Sequence, residues 1–165
     1  MKLSRTTIVP MALSIALVLS VAPAMAAGSK TVKEEKPGAE DYNAGVKLMK
    51  KGKYADAQER FEAALAENDK LAEAHNNLAF SLRKQGEQNW DEALEHYNIA
   101  IELKPELAEA YMYRGVLYSL MGEEEKALAD HAALLKLDRK LADALQAAIA
   151  SGEEPDGLEG LAKSW

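Results

Sequence analysis

The chain has 165 residues, a net charge of −7 and no cysteine, and 48% of its residues are apolar. This length and composition fit one folded domain, and the acidic balance argues against general nucleic-acid binding, which needs a basic face to neutralise phosphates. The absence of cysteine excludes disulfides, thiolate metal sites, cysteine nucleophiles and a lipid anchor on an N-terminal cysteine. Glycine and proline are sparse and alanine is abundant, which predicts a helical chain throughout.

Residues 1–26 have the pattern of a secretory signal peptide. Lys2 and Arg5 give a positive start, an uncharged run of 14 residues follows from position 8, and the segment ends in Ala-Met-Ala, with small residues where a signal peptidase reads. We therefore predict cleavage after Ala26 and export, most naturally to the bacterial periplasm. The run is shorter than the roughly 20 residues that a spanning helix needs, so an uncleaved membrane anchor facing the periplasm is the lesser alternative.

The rest of the chain repeats itself with a period of about 34 residues. Similar phrases open at Leu71, Leu107 and Leu141. Each unit has a first helix that ends at a glycine, then a turn, then a second helix with a small residue and a bulky residue four positions later, on the same helical face. The first-helix small residues are Gly45, Ala79 and Gly115, the turn glycines are Gly52, Gly86 and Gly122, and the second-helix pairs are Ala57 with Phe61, Ala93 with Tyr97, and Ala127 with His131.

These units resemble tetratricopeptide repeats. The resemblance implies an all-α fold, an α-solenoid of three tandem helix-turn-helix repeats plus a C-terminal capping helix. Two extra residues in the second unit are placed near Gln88 and Asn89. The predicted organisation is a flexible linker over 27–37, a repeat domain over 38–150 with repeats at about 38–71, 72–107 and 108–141 and a cap at 142–150, and a tail over 151–165.

No catalytic or metal-binding motif stands out in the sequence. The three histidines, His75, His96 and His131, include no pair at the i, i+4 spacing that places two ligands on one helix face. We expect His131 to pack in the core and His96 to lie on the surface. The acidic run Glu123–Glu125 is explained by favourable charge at a helix N-terminus. The sequence therefore predicts no enzyme, no cofactor and no metal site.

The concave face, which the first helix of each repeat lines, is the predicted binding site. Its residues combine apolar area, adaptable methionines, amides that both donate and accept hydrogen bonds, and positive charge that suits an acidic residue or a terminal carboxylate. Carried over from the repeats that the chain resembles, the predicted peptide-binding residues are Tyr42, Val46, Met49, Lys50, Asn76, Asn77, Phe80, Arg83, Lys84, Met112, Tyr113 and Val116, with Glu73, Glu109 and Ser119 at neighbouring inward positions.

Two features qualify the kind of partner. Some members of this family grip a partner's terminal carboxylate with a clamp of lysines, asparagines and an arginine. Only Asn77 matches that clamp, because its other positions hold Tyr42, Val46, Glu109 and Tyr113, so chaperone binding of that kind is not expected.

The tail carries Leu158, Leu161 and Trp165, which share a face if the tail is helical. The tail is either a loose end or an extra cap turn, or it docks into a groove, its own or a neighbour's.

We therefore predict an exported, non-enzymatic adaptor or scaffold of the bacterial periplasm that binds a protein or peptide through its concave face. No nucleic acid and no membrane insertion after cleavage are expected. The first alternative is a self-assembling protein that forms a homo-oligomeric scaffold. The second is a small metal-binding or hydrolytic envelope protein. The sequence leaves the identity of the partner open.

Overall fold

A computed structural model describes residues 36–155 and 157–164. Within these residues every regular element is helical. The predicted signal peptide, most of the predicted linker and Trp165 lie outside the described residues. The α-helices are α1 (Ala39–Met49), α2 (Tyr54–Glu67), α3 (Ala72–Gln85), α4 (Trp90–Leu103), α5 (Ala108–Leu120), α6 (Glu124–Leu137) and α7 (Arg139–Ser151), and two short 3₁₀ turns cover Glu87–Asn89 and Leu158–Leu161.

The helices pack as three successive hairpins followed by a cap. The hairpins are α1 with α2, α3 with α4 and α5 with α6; each stacks on the next, and α7 packs on both helices of the last one. The predicted all-α solenoid is therefore confirmed. None of the helices in the described part of the chain is both long and apolar enough to cross a membrane.

Glycine shapes the first hairpin at two positions. Gly52 has a φ of +71° in the turn between α1 and α2, a left-handed conformation that other residues adopt only with strain. Gly45 lies within α1, and a Cβ there would stand 2.6 Å from the ring of Phe61. The missing side chain therefore lets α1 and α2 approach closely, and the fully buried Phe61 fills the space between them.

The third repeat packs differently from the first two. Phe61 and Tyr97 are fully buried, whereas His131, which the sequence placed in the core, is only half-buried. A Cβ on Gly115 would meet Leu145 of α7 at 2.5 Å, so the capping helix supplies the bulky side chain here. Leu145 thus takes the place beside the small residue that Phe61 takes in the first repeat.

A buried ion pair joins the helices of the third repeat. Arg114 of α5 donates from Nε and Nη2 to the two carboxylate oxygens of Asp130, at 3.0 and 2.6 Å. Its Nη1 donates to Oδ1 of Asn98 on α4 at 2.6 Å. Asp130 is only 2% exposed, and this fork of donors is what makes a buried carboxylate tolerable.

The capping helix begins at Arg139 rather than at the predicted Ala142. Asp138 caps it, because its Oδ1 accepts hydrogen bonds from the backbone N–H groups of Lys140 and Leu141, at 2.9 and 3.2 Å. An aspartate in this position satisfies amides that would otherwise lack a partner, so the helix starts directly after it.

Candidate functional site

The predicted binding residues lie on α1, α3 and α5 and just beyond the end of α1. Ten of the twelve are at most 3% exposed, while Lys84 is half-buried and Lys50 is exposed. Most of the predicted binding face is therefore covered. We call the surface formed by Tyr42, Asn76, Asn77, Phe80, Arg83, Lys84 and Tyr113 the groove.

Part of the cover comes from the chain's own C-terminal residues. We call residues 154–155 and 157–163 the tail segment. Leu158 and Ala162 are each 6% exposed and belong to the same apolar cluster as Tyr42 and Tyr113. Of the two readings of the tail, the structure supports docking into the chain's own groove and not a loose end.

Two tyrosines hold the tail segment by its backbone. The Tyr113 hydroxyl donates to the carbonyl of Leu158 at 2.6 Å, and the Tyr42 hydroxyl donates to the carbonyl of Lys163 at 2.8 Å. The Tyr42 oxygen in turn accepts from Nδ2 of Asn77 at 3.2 Å. Burial raises the pKa of Tyr42 well above its ordinary value, so this hydroxyl keeps its proton and remains a donor.

A pair of basic residues holds the tail segment by one acidic side chain. Arg83 Nη2 lies 2.9 Å from Glu154 Oε1, and Lys84 Nζ lies 3.3 Å from both of its carboxylate oxygens. Arg83 is almost entirely buried and its guanidinium lies 5.0 Å from the centre of the Phe80 ring. Burial alone would raise the pKa of Glu154, but the charges of Arg83 and Lys84 outweigh it and hold that pKa below its ordinary value.

Several polar groups along the groove have no hydrogen-bond partner among the described residues. They are Oδ1 of Asn76, Nε and Nη1 of Arg83, and the hydroxyl of Tyr97. Burial raises the pKa of Tyr97 to about 12, against the opposing charge of Arg83. The Tyr97 hydroxyl lies under the groove and interacts with the Arg83 guanidinium. Because buried polar groups are usually paired, Oδ1 of Asn76 and the remaining N–H groups of Arg83 mark places where the tail segment does not complete the groove.

One end of the groove opens into a cavity of about 340 Å³ beside residues 161–163. Its wall carries Asn76 and three carboxylates, two of which face lysines: Glu73 lies 2.7 Å from Lys104, and Glu109 lies 3.8 Å from Lys163. The third carboxylate is Glu106. The groove is therefore basic where it holds Glu154 and carries acidic side chains at its other end.

The structure also joins two histidines that the sequence analysis kept apart. Nδ1 of His75 on α3 and Nδ1 of His96 on α4 are 2.9 Å apart, and Nε2 of His75 lies 3.0 Å from the carbonyl of Asp69. Since a carbonyl only accepts, neutral His75 carries its proton on Nε2 and accepts at Nδ1 from His96. Burial lowers the pKa of both rings. His96 is half-buried rather than on the open surface that we expected.

Among the described residues, no group of three or more histidine, aspartate or glutamate side chains is placed to hold a metal ion. The His75–His96 contact is thus a pair within one hairpin. Its rings are stacked with centroids 5.1 Å apart. Mapping the second repeat onto a helical hairpin would have placed His75 and His96 on facing helices. A search for residue pairs by their spacing along a single helix misses such a contact.

Comparison with known proteins agrees with the repeat pattern. A family model described as a tetratricopeptide repeat matches residues 42–88, and one described as a TPR repeat matches residues 87–122. The segment 42–122 consists of tetratricopeptide repeats. A curated relative, the Hsp70-Hsp90 organizing protein of Triticum aestivum, is 31% identical over 99 residues. That match covers 60% of this chain but only 17% of the relative's length.

Solved structures of similar fold include two repeat domains with bound peptides. The second TPR of Spaghetti (RPAP3), bound to the HSP90 peptide SRMEEVD, has a TM-score of 0.58 and 25% identity over 62% of this chain and 94% of that one. The second TPR domain of human RPAP3, in complex with the HSP70 peptide SGPTIEEVD, has a TM-score of 0.61 and 24% identity over 72% of this chain and 97% of that one.

Proposed function

We propose that this chain is a non-enzymatic adaptor or scaffold that binds an extended segment of another protein in its groove, in the bacterial periplasm. The observation that carries the proposal is the hold of Tyr42 and Tyr113 on main-chain carbonyls. Side chains that contact the backbone accept many sequences, while the basic pair Arg83 and Lys84 adds selectivity for an acidic residue.

The related repeats support a peptide partner, but this groove would favour a different part of the peptide than its C-terminal end. The peptides SRMEEVD and SGPTIEEVD bound by those relatives are acidic at their C-terminal ends. Here three carboxylates of the stack, Glu73, Glu106 and Glu109, and one lysine, Lys104, line the cavity at one end of the groove, and this excess of negative charge disfavours a terminal carboxylate. We therefore assign this groove to an internal segment of its partner, with an acidic residue near Arg83.

The periplasmic location rests on the sequence of residues 1–26, which has the three parts of a secretory signal peptide. Fractionation of cells that produce the full chain, followed by N-terminal sequencing of the mature protein, tests it. The expected mature protein starts at Ala27 and leaves with the periplasmic fraction. Recovery of an intact N-terminus in the cytoplasm would contradict the proposal.

Site-specific photo-crosslinking tests the binding function. A crosslinking side chain at Glu106, which is exposed and lines the cavity, should capture a defined partner in intact cells. The matched control is Leu135 on α6, which is 45% exposed and does not line the groove. The function is contradicted if Glu106 captures nothing or if both positions capture the same proteins. The homo-oligomeric alternative stays a prediction, and light scattering across a concentration series would detect it.

A further inference from the structure

The tail segment fits the groove only in part. Of the five N–H donors on the Arg83 guanidinium, Nη2 pairs with Glu154, while Nε and Nη1 form no well-aligned hydrogen bond in the described part of the chain, although the guanidinium also interacts with the buried Tyr97 hydroxyl. At the other end, Oδ1 of Asn76 lacks a donor beside the cavity that Leu161 and Ala162 help to line. Because a buried polar group without a partner costs free energy, a segment that satisfied these atoms would bind more tightly than the tail does.

We propose that the partner of the groove is a segment built like the tail itself and that it binds by displacing the tail segment. That partner carries an acidic side chain, a leucine four residues later, and a leucine followed by an alanine seven and eight residues after the acid, which is the spacing of Glu154, Leu158, Leu161 and Ala162. This inference rests on the proposed function, because it names the ligand class of the same groove.

Each part of this pattern meets a distinct feature of the groove. The acid meets the basic pair Arg83 and Lys84. The leucine is buried, and the carbonyl of the same residue accepts from Tyr113. The leucine–alanine pair forms part of the wall of the cavity next to Tyr42. The spacing between acid and leucine is thus fixed by the separation of Arg83 from Tyr113, both of which are buried and held by packing.

The covalent link gives the tail segment an advantage that a partner has to overcome. A short tether of this kind supplies an effective concentration on the order of millimolar, so a free peptide of the same sequence competes poorly. A partner carboxylate that accepts from two N–H groups of Arg83 gains over Glu154, which takes one. The tail segment therefore excludes ligands that bind the groove weakly, and only a partner segment with higher affinity displaces it.

The experiment uses a fluorescent peptide with the sequence of residues 153–164 and measures its anisotropy with the full chain. Glu154→Gln removes the charge that faces buried Arg83, so it should release the tail and strengthen peptide binding at least about tenfold over the unsubstituted chain. The matched control is Glu153→Gln, which removes an adjacent exposed charge that forms no ion pair in the described residues. It should bind the peptide as the unsubstituted chain does.

A second peptide identifies the recognised group. With glutamine in place of the glutamate that corresponds to Glu154, the peptide should bind the Glu154→Gln chain at least about tenfold more weakly than the original peptide. Equal affinity of the two peptides would overturn the role of the acid. An equal gain in peptide affinity in the Glu153→Gln and Glu154→Gln chains would overturn the competition between peptide and tail, because the affinity would then follow net charge alone.

Failure of this inference can be told apart from failure of the proposed function. If the Glu154→Gln chain keeps its helicity but does not bind the peptide, while Glu106 still captures a partner in cells, the ligand class is wrong and the binding function stands. If neither the peptide nor a partner binds, both are wrong. A doubling of mass for the Glu154→Gln chain at higher concentration would show exchange of the tail into a second copy, which also overturns displacement by a partner.

Discussion

Replacing Tyr113 by phenylalanine tests whether the groove holds the tail segment by its backbone. The ring would stay in place between Phe80 and Tyr97, whose ring centres lie 4.8 and 6.2 Å from it. The substitution removes the hydroxyl that donates to the buried carbonyl of Leu158 at 2.6 Å. The packing of the repeats should therefore be kept while one attachment of the tail is lost.

The size of the effect follows from the burial of the acceptor. A buried carbonyl that loses its donor costs about 1–3 kcal/mol, which corresponds to a change of roughly 5- to 150-fold in an equilibrium constant. The loss falls on docking of the tail, because in the undocked state water can hydrate the Leu158 carbonyl. We expect the undocked fraction to rise by that factor and the stability of the helical stack to change little.

The absence of cysteine makes the opening of the tail directly measurable. Ala162→Cys introduces a single thiol into a chain that has none. Ala162 is 6% exposed, so a thiol reagent reaches this position only when the tail segment lifts from the groove. In the Ala162→Cys background, Tyr113→Phe should raise the labelling rate by roughly 5- to 150-fold.

Tyr111→Phe is the matched control for this measurement. Tyr111 lies on the same helix, half-buried under the guanidinium of Arg114 at 5.7 Å, and forms no contact with the tail segment that the structure describes. In the Ala162→Cys background, Tyr111→Phe should leave the labelling rate the same as in the Ala162→Cys chain. If Tyr113→Phe changes the rate by less than twofold while the circular dichroism stays the same, the hydroxyl does not hold the tail.

Three further predictions concern the stack itself. Gly45→Val would drive a side chain into the buried ring of Phe61, and urea denaturation should show a loss of roughly 1–3 kcal/mol. Asp138→Ala removes the cap of α7 and should cost about 0.5–2 kcal/mol in the same assay. Because burial lowers the pKa of His75 and His96, the unfolded chain binds more protons below about pH 6.5, and the free energy of unfolding should fall between pH 7 and 5 by at most about 1.4 kcal/mol per pH unit for each proton. His96→Gln should flatten that dependence in urea titrations at each pH, and an unchanged slope would contradict the assignment.

The fold could be predicted because its determinants are local and repeated. The pairing of a small residue with a bulky one, as in Gly45 and Phe61, recurs with the period of the hairpin, and each recurrence supports the others. The exceptions occur where a single contact overrides the period. Leu145 of the cap replaces the bulky residue of the third repeat, and Asp138 starts the cap early.

The residues of the groove stay a prediction as a binding site, and the sequence left open whether the tail covers them. The repeat pattern places Tyr42, Arg83 and Tyr113 on one inner surface, since each occupies an inward position of a first helix. The tail segment covers part of that surface, and the contacts concerned join residues that are 121 and 71 positions apart in sequence. No periodicity encodes such pairs, and a tail with few apolar residues gives only a weak signal by itself.

The distribution of charge gives the groove a direction. Arg83 and Lys84 meet Glu154 at one end, whereas Glu109 at the other end faces Lys163. A segment bound in reverse would set its acid against the carboxylates of the cavity and its base against a buried guanidinium, and like charges in a partly buried site are costly. A peptide with the reversed sequence could return its acid to Arg83 by binding in the opposite direction, but its carbonyls would then not lie where those of Leu158 and Lys163 accept from Tyr113 and Tyr42. It should therefore bind more weakly than the original peptide, even though its length, composition and apolar content are unchanged.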